Sequence, residues 1–145
     1  MARLAFLMVF SSVMALAHAE YERSVPAANA VLREKPSSVV VYFTQPVEVR
    51  LSTFGVYALE APREAWGNPS RLRQLAQPLV RKVLASRGSA GRRVDMGVAT
   101  TARTSRDVIL RLRPDLEPGP YVVVWRNLGV DGHSVVGFFV FVYRS

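Results

Sequence analysis

The spacing of apolar and polar positions divides the chain into strand-like runs separated by a middle section of different texture. Ser37-Ser38 opens the run Val39-Val40-Val41-Tyr42-Phe43, which Gln45-Pro46 closes. β-Branched and aromatic residues favour the pleated conformation, and polar or proline residues at the ends of a run mark turns. Residues 47–60 alternate well enough for one or two further strands, with Phe54, Val56 and Tyr57 as core. Residues 108–112 read as another strand, followed by a turn region over 114–120. Two strongly apolar runs, 121–125 and 135–143, end the chain and flank a polar segment holding Asp131, Gly132 and His133. Residues 20–33, with Pro26 and Asn29, read as an irregular lead-in. Short strands with turn signals between them predict an all-β sandwich.

Residues 61–105 break this texture with Pro62, Gly67, Pro69, Gly88 and Gly91, and with many basic side chains. Within them Leu72, Leu75, Leu79, Val80, Val83 and Leu84 recur at helical spacing, while Arg71, Arg73, Arg81 and Lys82 fall elsewhere around the wheel. Asn68 or Ser70 caps this helix, and Pro78 either kinks it or starts a second one. The final strands are apolar on both alternations, so their outer face needs a cover. An amphipathic helix laid on that face fits. The alternative is a docking surface for an anionic partner.

The first residues have another purpose. Met1-Ala2-Arg3 is a short positive region, residues 4–14 are apolar, and small residues recur over 15–19. This is the pattern of a secretory signal peptide, too short for a comfortable membrane span. No other stretch is long and apolar enough to cross a bilayer. Cleavage after Ala19 or after Ala17 satisfies the small-x-small rule, and only the second leaves His18 as the first residue. The division adopted is a signal peptide over 1–17 and one domain over 18–145, with 61–105 as a basic, partly helical insert. The product is an exported protein.

With 145 residues, half of them hydrophobic, the chain builds one cored domain rather than a disordered one. The absence of cysteine excludes disulfides, thiolate metal sites and cysteine nucleophiles. A formal net charge of +8 suits anionic partners or a solvated basic surface. The insert lacks interleaved aromatic residues, so nucleic-acid binding has no support. No Ser-His-Asp arrangement, phosphate loop or zinc-protease motif is present.

His18 and His133 are the only histidines. Asp131 and His133 stand two apart, so in an extended segment their side chains share one face and form half a metal site. Four segments then make the pattern specific: His18-Ala19 followed by Ser24-Val25-Pro26-Ala27; Val41-Tyr42-Phe43-Thr44-Gln45-Pro46-Val47; Gly119-x-Tyr121-x-Val123-x-Trp125-Arg126; and Asp131-Gly132-His133-x-x-x-Gly137-x-Phe139-x-Phe141. Together they resemble the CopC family of exported copper-binding proteins over both ends of the mature chain. The basic insert lies outside the resemblance.

The resemblance implies an Ig-like Greek-key β-sandwich of about seven strands that holds one Cu(II) per chain. By position His18 matches the family's amino-terminal ligand, giving its α-amine and imidazole, while Asp131 and His133 match the other two. Such an N3O set suits the square-planar preference of Cu(II) better than tetrahedral Zn(II). Gln45 stands where some relatives carry a glutamate, and Gly129 where a serine is common. Beyond the signal peptide Met96 is the one methionine, so soft ligands for Cu(I) are missing. The function expected is non-enzymatic: a periplasmic or extracytoplasmic monomer, not itself transmembrane, that sequesters copper or hands it to a CopD-like membrane partner. Alternatives are a copper-dependent oxidative enzyme with a histidine brace, and a plain Ig-like interaction module. In a brace enzyme an open position activates oxygen, whereas Asp131 would fill a strong equatorial place.

Overall fold

Alternation along the chain becomes two four-stranded sheets packed face to face. The computed structural model describes residues 18–87 and 89–145, so the signal-peptide reading of 1–17 lies outside the described residues. In the first sheet β1 (Tyr21–Val25), β3 (Ser38–Glu48), β6 (Thr104–Leu112) and β5 (Asp95–Val98) lie side by side in that order. In the second the order is β2 (Val31–Leu32), β8 (Ser134–Tyr143), β7 (Gly119–Leu128), β4 (Thr53–Ala58). Neighbours are antiparallel except β2 and β8, which run parallel. This is the Ig-like sandwich. The Tyr121 hydroxyl adds the tyrosine corner of that fold, donating to the Glu117 carbonyl just upstream.

The strand count is eight rather than about seven because the lead-in is ordered, not irregular. β1 pairs with β3, the chain changes sheet around the cis Val25–Pro26 peptide, and β2 then pairs with β8. Both are edge strands, which need no apolar alternation; only Ser24 of β1 is buried. Nor does β3 stop at Gln45-Pro46. It continues to Glu48, and its register against β6 slips between Tyr42 and Val47, an irregularity that tolerates proline.

Alternate residues of β3, β6, β7 and β8 fill the space between the sheets. Val39, Val41, Phe43, Val108 and Leu110 meet Val123, Trp125, Phe139 and Phe141 there. Trp125 is core, as its sequence context indicates, packed within 6.1 Å, centroid to centroid, of Tyr21, Phe43 and Phe139. Gly137 lies so close beneath it that a Cβ would sit 2.4 Å from the indole.

The other face of the second sheet is covered by α1 (Pro69–Ala85), a single 17-residue helix that passes through Pro78 without dividing. Asn68 caps it, its side-chain oxygen accepting from the Arg71 N–H at 3.1 Å. Leu72, Ala76, Val80 and Val83 are its buried stripe, set against Tyr57, Val122, Val124, Val140 and Val142. Leu75, Leu79 and Leu84 flank the stripe and are half-buried. At roughly 1.5–3 kcal/mol per large apolar side chain removed from water, this second core adds substantially to the first.

After the helix, the insert closes the side of the sandwich. Val94 N–H donates to the Val56 carbonyl at 2.8 Å and Ala58 N–H to the Arg92 carbonyl at 2.9 Å, along the free edge of β4. Asp95, its side chain fully buried, accepts from the Val56 N–H at 2.8 Å and pairs with Arg93 at 2.9 Å. This cross-sheet latch and strand β5 were not evident from the insert's sequence. No helix among the described residues is long and apolar enough to cross a membrane.

Candidate metal centre

Three segments distant in sequence meet at one end of the sandwich. β7 and β8 run paired without interruption from Gly119↔Tyr143 to Leu128↔Ser134, and the link between them turns at residues 129–133. There Gly129 N–H donates to the His133 carbonyl at 2.9 Å and Gly132 N–H to the Gly129 carbonyl at 2.9 Å. Gly132 takes φ of 86°, a conformation that a side chain would strain. The segment is therefore a tight turn and not extended. Asp131 and His133 come together because the turn folds them together, rather than through strand alternation.

His18 arrives from the opposite end of the chain, just before β1. Its Nδ1 lies 2.9 Å from Asp131 Oδ2, a contact between residues 113 positions apart. His133 Nδ1 lies 3.3 Å from the same oxygen, and the two rings stand 4.4 Å apart, centroid to centroid. One donor atom from each of His18, Asp131 and His133 falls within 4.8 Å of the others. The structure thus brings together all three residues singled out in the sequence. Two imidazole nitrogens and a carboxylate oxygen this close together could hold a borderline divalent metal.

The Asp131 side chain keeps 6 % of its accessible surface, with both imidazoles against it, yet the cluster itself sits at the molecular surface. The His133 backbone N–H, 3.1 Å from Oδ1, holds the carboxyl below the usual carboxylate range, and the His18 ring adds to this. Hydrogen bonds to the charged form favour ionisation.

Other residues set the geometry. Thr44 of β3 and Asn127 of β7 both bond the segment 18–20. Gly129 is packed so tightly that a Cβ would lie 2.6 Å from Asp131 Oδ1, so a serine there would displace the carboxylate. Gln45 makes no hydrogen bond to the three residues. Sequence reading missed Thr44 and Asn127. The visible signal was Asn127 itself, a carboxamide in an otherwise apolar inward row.

Comparison with known proteins agrees with this architecture. A sequence model of the CopC domain matches residues 21–144, beginning just after His18. The solved structure of CopC from Methylosinus trichosporium OB3b matches with a TM-score of 0.59 at 24 % identity, over 87 % of this chain and 93 % of that one. That of PcoC, a methionine-rich copper resistance protein from Escherichia coli, matches with a TM-score of 0.60 at 20 % identity, over 88 % of this chain and 100 % of that one. No curated protein sequence matches. At these identities the structural likeness speaks for the fold.

Proposed function

The chain belongs to the CopC domain family, and from that premise we propose that it is an exported copper-binding protein whose Cu(II) ligands are His18, Asp131 and His133. The observation that carries this reading is the meeting of His18 with Asp131 across 113 positions of sequence. A chance surface histidine has no reason to be held there. Cleavage after Ala17 would free the α-amine of His18, and amine plus Nδ1 close a chelate ring on one metal. With His133 and Asp131 the set becomes N3O, suited to one Cu(II) per chain.

The burial of Ala19, 1 % exposed, favours this cleavage over one after Ala19, which would remove a core residue. PcoC is described as methionine-rich, whereas Met96 of β5 is the one methionine among the described residues. Soft donors for Cu(I) are lacking, and the protein is read as a Cu(II) carrier rather than an enzyme. It works in the periplasm or an equivalent space, as a monomer, holding copper or passing it to a separate membrane protein.

The test is an added glycine ahead of His18. It leaves both imidazoles and Asp131 in place but converts the α-amine to an amide and moves the free amine away. Cu(II) affinity falls by orders of magnitude, comparably to His133→Ala, and the EPR spectrum changes. A titration and spectrum indifferent to the extra glycine overturn the amine-and-imidazole site.

A further inference from the structure

Resting on the copper reading above, we infer that Asn127 is the positioning residue that sets the register of the amino-terminal segment and so delivers His18 to Asp131 and His133. Asn127 is 0 % exposed and points inward from β7, in the row otherwise made of Tyr121, Val123 and Trp125. A carboxamide in such a place costs stability unless it is bonded. Its Nδ2 donates to the Ala19 carbonyl at 2.9 Å, while its Oδ1 has no partner among the described residues. Its carbonyl oxygen is therefore left unsatisfied, and the amide nitrogen grips the residue next to His18. An apolar side chain would serve the core better. The bond to residue 19 is what Asn127 adds.

The opposite sheet holds the same segment. Thr44 N–H donates to the Glu20 carbonyl at 2.8 Å, and Thr44 Oγ1 accepts from the Glu20 N–H at 3.0 Å. The same hydroxyl donates to the His18 carbonyl at 3.3 Å. Between these clamps the Ala19 methyl packs towards Gly129, where a Cβ would lie 3.5 Å from it. Thr44 thus ties the segment to the first sheet and Asn127 to the second, which carries Asp131 and His133. Besides the His18–Asp131 contact itself, Asn127 supplies a buried link from the strand that leads to Asp131 and His133 to the backbone beside His18. With it in place the three donor groups are assembled before metal arrives, and the ordering cost of binding is already met by folding.

A double-mutant cycle on chains beginning at His18 tests this. Asn127→Val removes both polar atoms at similar volume. It lowers Cu(II) affinity ~10–100-fold, the usual effect of losing a residue that orients a ligand. In a His18→Ala background, where only the α-amine of residue 18 is left for Asn127 to position, its effect is much smaller, because Asn127 acts through residue 18. An equal loss in both backgrounds, or none in either, overturns the proposal. Should His18→Ala alone bind Cu(II) as the unaltered chain does, the copper site itself is wrong and the clamp falls with it. A measurement without substitution covers the case in which Asn127→Val does not fold. One side-chain amide proton of Asn127 exchanges slowly in the unaltered, copper-free protein; fast exchange of both overturns the clamp.

Discussion

At the scale of single residues, Asp131 joins the two imidazoles and also organises its own turn through the His133 N–H. That bond has a consequence for pH. A carboxyl held below its usual range contributes stability that is fully present above the unfolded-state value of about 3.9. The contribution is lost only as the pH falls through the lower folded value. Asp131 therefore stays ionised between pH 7 and pH 5, whereas imidazole and amine nitrogens bind metal only after shedding their protons. Apparent Cu(II) affinity should fall steeply across that window in a competition titration, and Asp131→Asn should weaken binding without changing the steepness. A flat profile would show that nitrogen donors do not hold the metal. The three candidate ligands were legible in the sequence because rare residue types stood in a recognisable order. Thr44 and Asn127 were not, since their role exists only once the two sheets face each other across Ala19.

Among the elements, the β7–β8 hairpin shows how local pattern dictates long-range packing. Seven consecutive residues, 119–125, are buried, which requires cover on both faces of the sheet. One face meets the first sheet and the other meets α1, so the helix was foreseeable from strands far along the chain. Its stripe was less so: Ala76, 0 % exposed, was passed over because a small residue carries little hydrophobic signal. Strand β5 escaped for another reason. Asp95-Met96-Gly97-Val98 has no strand-like alternation, and its place is fixed by backbone bonds and the Arg93–Asp95 pair. If α1 is a structural cover, Val80→Asp buries an unpaired charge and costs about 3 kcal/mol in urea unfolding. Arg81→Ala, on the exposed face, should stay within about 0.5 kcal/mol. Unchanged stability in the Val80 variant would make the helix a loosely held docking element instead.

Over the whole molecule, the amino-terminal segment closes the end of the sandwich as well as carrying the proposed ligand His18. Ala19 belongs to the core between the sheets, and the segment is bonded to both of them. On the proposed copper site, folding and metal binding are therefore coupled through the position of the first residue, which separates the two possible cleavage points by a measurement without copper. A chain starting at Glu20 lacks the Ala19 methyl, worth about 0.8 kcal/mol when buried. It also lacks the carbonyls that Asn127 and Thr44 bond, at about 1 kcal/mol each, and it leaves Asn127 wholly unpaired. Together these amount to roughly 3 kcal/mol, or about 10 °C in Tm for a domain of this size. In the presence of a chelator the chain beginning at His18 should melt that much higher than the chain beginning at Glu20. Adding Cu(II) at about 100 times its Kd should then stabilise only the longer chain, by a further ~2.7 kcal/mol, because metal binds the folded state alone. Equal melting of the two chains under chelation would mean that residues 18 and 19 play no part in closing the fold. A Cu(II) response from the chain lacking His18 would place the metal elsewhere.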